Sequence, residues 1–245
     1  MAMTEYHPPV DPWIDIIYQD EHILVANKPA GLLSVPGREE RHYDSLWSRL
    51  VEECPEIQVV HRLDMATSGL MLFALNKEAE RHLKKQFQYR LTHKVYYARV
   101  WGELEEKEGI VDLPLICDWP NRPRQKVCTH DGKPSRTDYQ KVVQEEKTCI
   151  VRLLPITGRS HQLRVHMNEM GHSIVGDEFY SEGEARAYSE RLQLHSTELS
   201  FYHPKDGKLV SMFVPCDFYP EAEPLVLKLY SAEPELPDYK TLPKH

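Results

Sequence analysis

Cysteine, glycine and long apolar runs are all scarce in this chain, and each scarcity closes off a class of protein. The five cysteines, Cys54, Cys117, Cys128, Cys149 and Cys216, are scattered and contain no C-x-x-C pair. That argues against zinc and against a disulfide framework, and it fits a reducing, cytoplasmic setting. No apolar stretch approaches the ~20 residues that a membrane-spanning helix needs. Residues 1–12 are polar and proline-bearing, without the charged-then-apolar order of a secretion signal. Eleven glycines in 245 residues include no glycine-rich loop of the kind that cradles phosphates. His161 and His166 lie five apart, the wrong spacing for one helix face, so no metal site is expected.

What is present is a globular composition, 41% hydrophobic, able to bury a core as one domain or two closely packed halves. The net charge is −8, but its distribution matters more than its total. Residues 84–101 hold Lys84, Lys85, Arg90, Lys94 and Arg99 and no acid. Residues 119–141 hold Arg122, Arg124, Lys126, Lys133, Arg136 and Lys141 against Asp131 and Asp138. Residues 217–245 are acidic and proline-rich. An acidic protein with such segments can still present a basic face to nucleic acid.

Periodicity predicts short strands over 13–19 and 22–27, a short helix after Asp44, and a helix capped by Asn76 with Ala79, Leu83 and Phe87 inward. A strand follows over 93–101, with Tyr96, Ala98 and Val100 on one face. A hairpin is predicted over 135–144 and 148–154, a helix capped by Ser160 with Leu163 inward, another over 184–191, and strands over 192–201 and 209–214. Residues 118–124 form a proline-stiffened loop in which Trp119 sits among Arg122, Arg124 and Lys126, a pattern shared by RNA-contacting loops and ordinary polar loops.

The chain is organised around His61-Arg62-Leu63-Asp64, followed by Thr67-Ser68-Gly69 and the apolar run 70–75. Hydroxyls and a glycine make turn chemistry, and the apolar run reads as a strand buried on both faces. The segment therefore presents Arg62 and Asp64 from a rigid edge. These residues resemble the catalytic signature of the RluA-type pseudouridine synthases, with Asp64 at the catalytic aspartate. Asn27-Lys28-Pro29-Ala30-Gly31-Leu32-Leu33 resembles the family's N-terminal motif, Lys94-Val95-Tyr96-Tyr97-Ala98-Arg99-Val100 its tyrosine strand, and Gly158 to His166 its arginine motif. The four occur in the family's order and span roughly residues 13–215.

The resemblance implies an α+β fold, a mixed and mostly antiparallel central sheet flanked by helices and loops, with a catalytic cleft across it. It divides the chain into an N-terminal extension (1–12), a catalytic domain (13–218) and an acidic tail (219–245). It implies a cofactor-free isomerase acting on RNA, 23S ribosomal RNA and/or tRNA anticodon stem-loops; the stretch from Pro114 to Pro123 resembles members acting on both. A monomer is expected. In the implied reaction the C1′–N1 bond of uridine breaks and C1′ rejoins at C5. The implied roles are Asp64 as catalytic carboxylate, Tyr96 against the target uracil, Arg62 in the space the flipped base vacates, and Arg164 as the cation that an ionised carboxylate in a closed site requires. Leu163 and His61 are expected to bind substrate, and Lys28, Arg122, Arg124, Lys126 and Arg159 to meet RNA phosphates. Lys28 reads equally as a solvated lysine. The rival reading is a non-catalytic RNA-binding protein. A kinase is set aside, because the His-Arg-x-Asp spacing is off by a residue and no glycine-rich loop or Asp-Phe-Gly occurs.

Overall fold

The computed structural model describes residues 6–225. In chain order the regular elements begin with β1 (Ile16–Gln19), β2 (Ile23–Lys28), α1 (Leu46–Glu53), β3 (Gln58–Val59), β4 (Ser68–Ala74) and α2 (Lys77–Gln88). There follow β5 (His93–Trp101), β6 (Glu108–Asp112), β7 (Leu115–Cys117), β8 (Gln125–Val127), β9 (Arg136–Gln144) and β10 (Thr148–Pro155). The chain closes with α3 (Gln162–Glu169), α4 (Gly183–Ala187), β11 (Leu194–Tyr202) and β12 (Leu209–Phe213). These elements divide between two compact units, one of residues 6–94, 196–215 and 221–225, the other of 95–195 and 216–220.

In the first unit β2 runs antiparallel to both β1 and β4, and β3 pairs antiparallel with the far end of β4. All seven residues of β4 are buried, which is why its sequence runs apolar from Leu70 to Ala74 rather than alternating. Asn76 caps α2 by accepting from Ala79 N at 2.9 Å, and Ala79 and Leu83 then join Ile23, Leu70, Leu72 and Phe201 in one apolar cluster. α1 is capped by Ser45, whose hydroxyl and that of Ser48 form a reciprocal capping box. Asp44 does not cap; it pairs with Arg49 at 2.7 Å. Arg49, 1% exposed, also donates to the carbonyls of Pro9 and Trp13 and lies 3.9 Å from the Trp13 ring centroid. Residues 6–13 are thereby tied to α1. Near the other terminus Ala222 is buried and Leu225 N donates to the Glu198 carboxylate at 2.7 Å. The remainder of the acidic tail, 226–245, lies outside the described residues.

The second unit is built on β5, β10, β9 and β6, each antiparallel to the next, with Tyr96 opposite Leu153 and Arg136 opposite Asp112. The hairpin between β9 and β10 turns where the sequence predicts. The stretch 115–127 forms a separate two-stranded hairpin, β7 and β8, which periodicity could not show because each strand is three residues long. α3 starts later than predicted. Its N-cap is His161 in the left-handed region (φ 53°), without a side-chain cap, and not Ser160. The Gln162 carboxamide instead ties down the turn ahead of the helix, accepting from Thr157 Oγ1 (2.6 Å) and Arg159 N (3.1 Å). α4 stops at Ala187, short of the predicted 191.

Candidate active site

Asp64 stands in the loop between β3 and β4, and the first unit holds this loop from beneath by buried hydrogen bonds. Ser34 Oγ donates to the Leu63 carbonyl at 2.7 Å and accepts from Leu63 N at 3.1 Å. On the other side of Asp64, the Met65 carbonyl accepts from Gly31 N (2.9 Å) and from Lys28 Nζ (3.0 Å). Thr67 N closes the turn onto the Asp64 carbonyl at 3.1 Å. Gly69, at φ +110°, follows; a Cβ there would lie 2.3 Å from the Ser196 carbonyl oxygen, so only glycine fits. Both neighbours of Asp64 are thus pinned by the 28–34 segment, while the Asp64 side chain remains half-open and Arg62 is exposed.

Lys28 corrects a sequence expectation. It is fully buried, and its ammonium donates to the carbonyls of Leu32 (2.7 Å), Pro29 (2.9 Å) and Met65. It cannot reach an RNA phosphate. Burial pulls its pKa down to about 7, and the Asp64 carboxylate opposes that shift. Lys28 therefore ties the N-terminal motif to the aspartate loop and contributes a positive field at Asp64.

His61 opens the loop. Its ring stacks on Phe87 with centroids 4.7 Å apart, and its Nε2 accepts from Leu72 N at 2.9 Å, which leaves the proton on Nδ1. Burial, assisted by Lys94, pushes its pKa down to about 3. Near neutral pH His61 is therefore an uncharged ring.

In the second unit Tyr96 and Leu163 are buried, at 9% and 7% exposure. Arg164, 2% exposed, grips Asp177 with two parallel hydrogen bonds: Nε to Oδ2 and Nη2 to Oδ1, each 2.7 Å. Asp177 Oδ1 also accepts from Phe179 N and Tyr180 N, and the guanidinium lies over the Phe179 and Tyr180 rings. A buried ion pair repays its desolvation only when its remaining hydrogen-bonding capacity is met, and here the carboxylate is fully served. Asp177 was not legible in the sequence. It lies thirteen residues beyond Arg164, in a loop whose local pattern marks nothing.

The basic residues expected on the surface are there. Arg122 and Arg124 are exposed on the β7–β8 loop and Lys126 is exposed in β8, with the Arg122 guanidinium 3.6 Å from the centroid of the exposed Trp119 ring. Arg159 is exposed and donates to the Pro134 carbonyl at 3.3 Å. Among the described residues, no three His, Cys, Asp or Glu side chains gather to hold a metal ion, and no helix is long and apolar enough to cross a membrane.

Residues 22–169, more than half of the chain, match the RNA pseudouridylate synthase family. The chain belongs to that family. It is similar to the dual-specificity RNA pseudouridine synthase RluA of Vibrio parahaemolyticus serotype O3:K6, 68% identical over 249 residues and covering 100% of each chain. The protein of that name from Escherichia coli K12 is 56% identical over 219 residues, 89% of this chain and 100% of the relative. Among solved structures, human RNA pseudouridylate synthase domain containing 1 superposes with a TM-score of 0.74 at 29% identity, covering 92% of this chain and 97% of that one. Human RNA pseudouridylate synthase domain containing 4, at 23% identity and a TM-score of 0.68, shares the fold. The α+β fold expected from the sequence is the fold of the family, and as a pseudouridine synthase the chain is an RNA-modifying isomerase.

Proposed function

We propose that the chain isomerises uridines in structured loops of 23S ribosomal RNA, of tRNA anticodon stems or of both, with Asp64 as the catalytic carboxylate. The observation that carries this reading is the cradle around Asp64: buried bonds fix the residues on either side, while the carboxylate stays half-open. Relatives named as dual-specificity synthases and alignable over the whole chain support the choice of substrates.

The uracil must leave its stack before reaction, at a cost of roughly a few kcal/mol. Stacking on Tyr96 returns about 1–3 kcal/mol. Arg62, on the aspartate loop, fills the vacated space. Leu163 supplies apolar wall, and Arg164, clamped by Asp177, supplies a fixed positive group. Arg122, Arg124, Lys126 and Arg159 take RNA phosphates. In the reaction the C1′–N1 bond breaks, C1′ joins C5, the C5 proton leaves to solvent and N1 gains a proton.

Uracil tritiated at C5 tests this directly. The wild type releases tritium from a stem-loop substrate; Asp64→Asn, which removes the charge and keeps the shape, loses turnover by several orders of magnitude while still binding RNA. A protein that only bound RNA would release none in either form. Pseudouridine from the Asn variant, with deamidation excluded by mass spectrometry, would remove Asp64 from its role.

A further inference from the structure

The chain places several cations away from bulk water, and most are satisfied from within. Lys28 has three carbonyls, Arg49 has Asp44 and two carbonyls, and Arg164 has Asp177. Lys94 differs. It is half-buried at the start of β5, and among the described residues no acceptor or carboxylate partners its ammonium. Among the described residues, the charge that acts on it is of its own sign. Arg90 acts on it as a repelling charge, and Lys94 in turn acts on the neutral ring of His61. Burial and Arg90 together pull Lys94 down to about 8.

Arg90 is itself unusual. α2 ends with Leu91 N donating to the Gln86 carbonyl and Arg90 N to the Phe87 carbonyl, an arrangement that needs a left-handed residue and ordinarily takes glycine. Arginine occupies that position at φ 59°. The chain therefore holds two cations within electrostatic reach of each other, one partly desolvated and one in a left-handed conformation, and among the described residues neither has a carboxylate partner. Their site adjoins His61, the first residue of the loop that carries Arg62 and Asp64. Along β5, strand alternation puts Lys94 on the face that also bears Tyr96.

We infer that Lys94 and Arg90 form an anion site for a backbone phosphate of the substrate RNA, next to the nucleotide that reacts. This rests on the reading that the chain modifies RNA. A ready-made site for a phosphate explains why neither cation carries a protein partner: the counter-charge arrives with the substrate. The exposed arginines of the β7–β8 loop meet RNA through solvent-screened contacts, whereas Lys94 meets it through a partly desolvated one.

The test measures binding of a stem-loop RNA by fluorescence anisotropy across a salt series, in full-length protein carrying Asp64→Asn so that nothing turns over. Each phosphate contact adds about 0.7–0.9 to the slope of log affinity against log salt. Lys94→Met is expected to lower that slope by about one contact and to weaken binding roughly five- to tenfold at low salt. Lys94→Arg is expected to restore both, and Lys77→Met, on the exposed first turn of α2, to change neither. Arg90→Gly gives the sharper readout, because it relieves the left-handed strain. It should raise the melting temperature while lowering RNA affinity, two changes that a purely structural residue would not combine. Unchanged slope and affinity in both Lys94→Met and Arg90→Gly would overturn the proposal. Tritium release by the wild type is read separately, so loss of the enzymatic reading is distinguishable from loss of this site.

Discussion

The loop at 61–67 and the loop at 118–124 each carry an aspartate and at least one arginine, yet they are held in opposite ways. The first hangs on buried bonds to residues some thirty positions earlier: Ser34 to Leu63, Lys28 and Gly31 to Met65. The second is held by its own neighbours. Asp118 N donates to the Arg124 carbonyl, Asn121 donates to the Asp118 carboxylate at 2.8 Å, and Lys126 lies 3.3 Å from the same carboxylate at the surface. Buried backbone bonds with no competing water fix a geometry, whereas exposed ion pairs contribute about 0–1 kcal/mol and leave a loop free to adjust. The difference supports the proposed division, in which the first loop carries the chemistry and the second grips RNA.

Breaking the first loop's anchor should separate those roles most strongly. Ser34→Ala leaves both the N–H and the carbonyl of Leu63 without their buried partner, a cost of about 1–3 kcal/mol. We expect a lower melting temperature and a fall in kcat of about tenfold or more, with RNA affinity within about twofold of the wild type. Ser34→Thr, which keeps the hydroxyl, should recover much of the loss. Single-turnover kinetics alongside anisotropy would check this; equal losses in kcat and affinity would show that the cradle serves binding instead.

An acid titration sharpens the comparison, because the first loop contains a histidine, His61, and the second has none. His61 is held neutral, with its pKa lowered to about 3 from the ordinary 6.5. The unfolded chain therefore binds a proton that the folded chain refuses as pH falls from 6.5 towards 3, and stability falls through that window. His166, whose pKa burial also lowers, adds to the same slope. Denaturant unfolding at stepped pH should show a shallower acid loss in His61→Gln than in the wild type, with little difference above pH 7.

The smallest effect belongs to the exposed loop. Arg122→Ala or Trp119→Ala removes one half of a surface stack, and we expect RNA affinity to fall a few-fold with kcat unchanged. The arginine variant should also lose about one contact from the salt slope. A variant with normal affinity and a reduced kcat would show this loop to be as chemically committed as the first.

What the sequence by itself determined is local. The apolar run after Gly69 specifies a doubly buried strand, Asn76 and the i, i+4 spacing of Ala79, Leu83 and Phe87 specify a capped helix, and residues 93–101 form the strand expected of them. The four ordered motifs also name the family, because each preserves a residue pattern independently of how the chain folds between them. Only the tertiary structure decided which charges are buried. Lys28 and Lys94 look alike as text, but one is enclosed by three carbonyls and the other is left without a partner among the described residues. Ser34 and Asp177 carry no mark at all, because what distinguishes them is a bond to Leu63, 29 residues away, and to Arg164, 13 away. Periodicity reports which face of an element avoids water; it contains no information about which distant backbone or guanidinium will arrive there to be hydrogen-bonded. That pairing is fixed only when the elements pack.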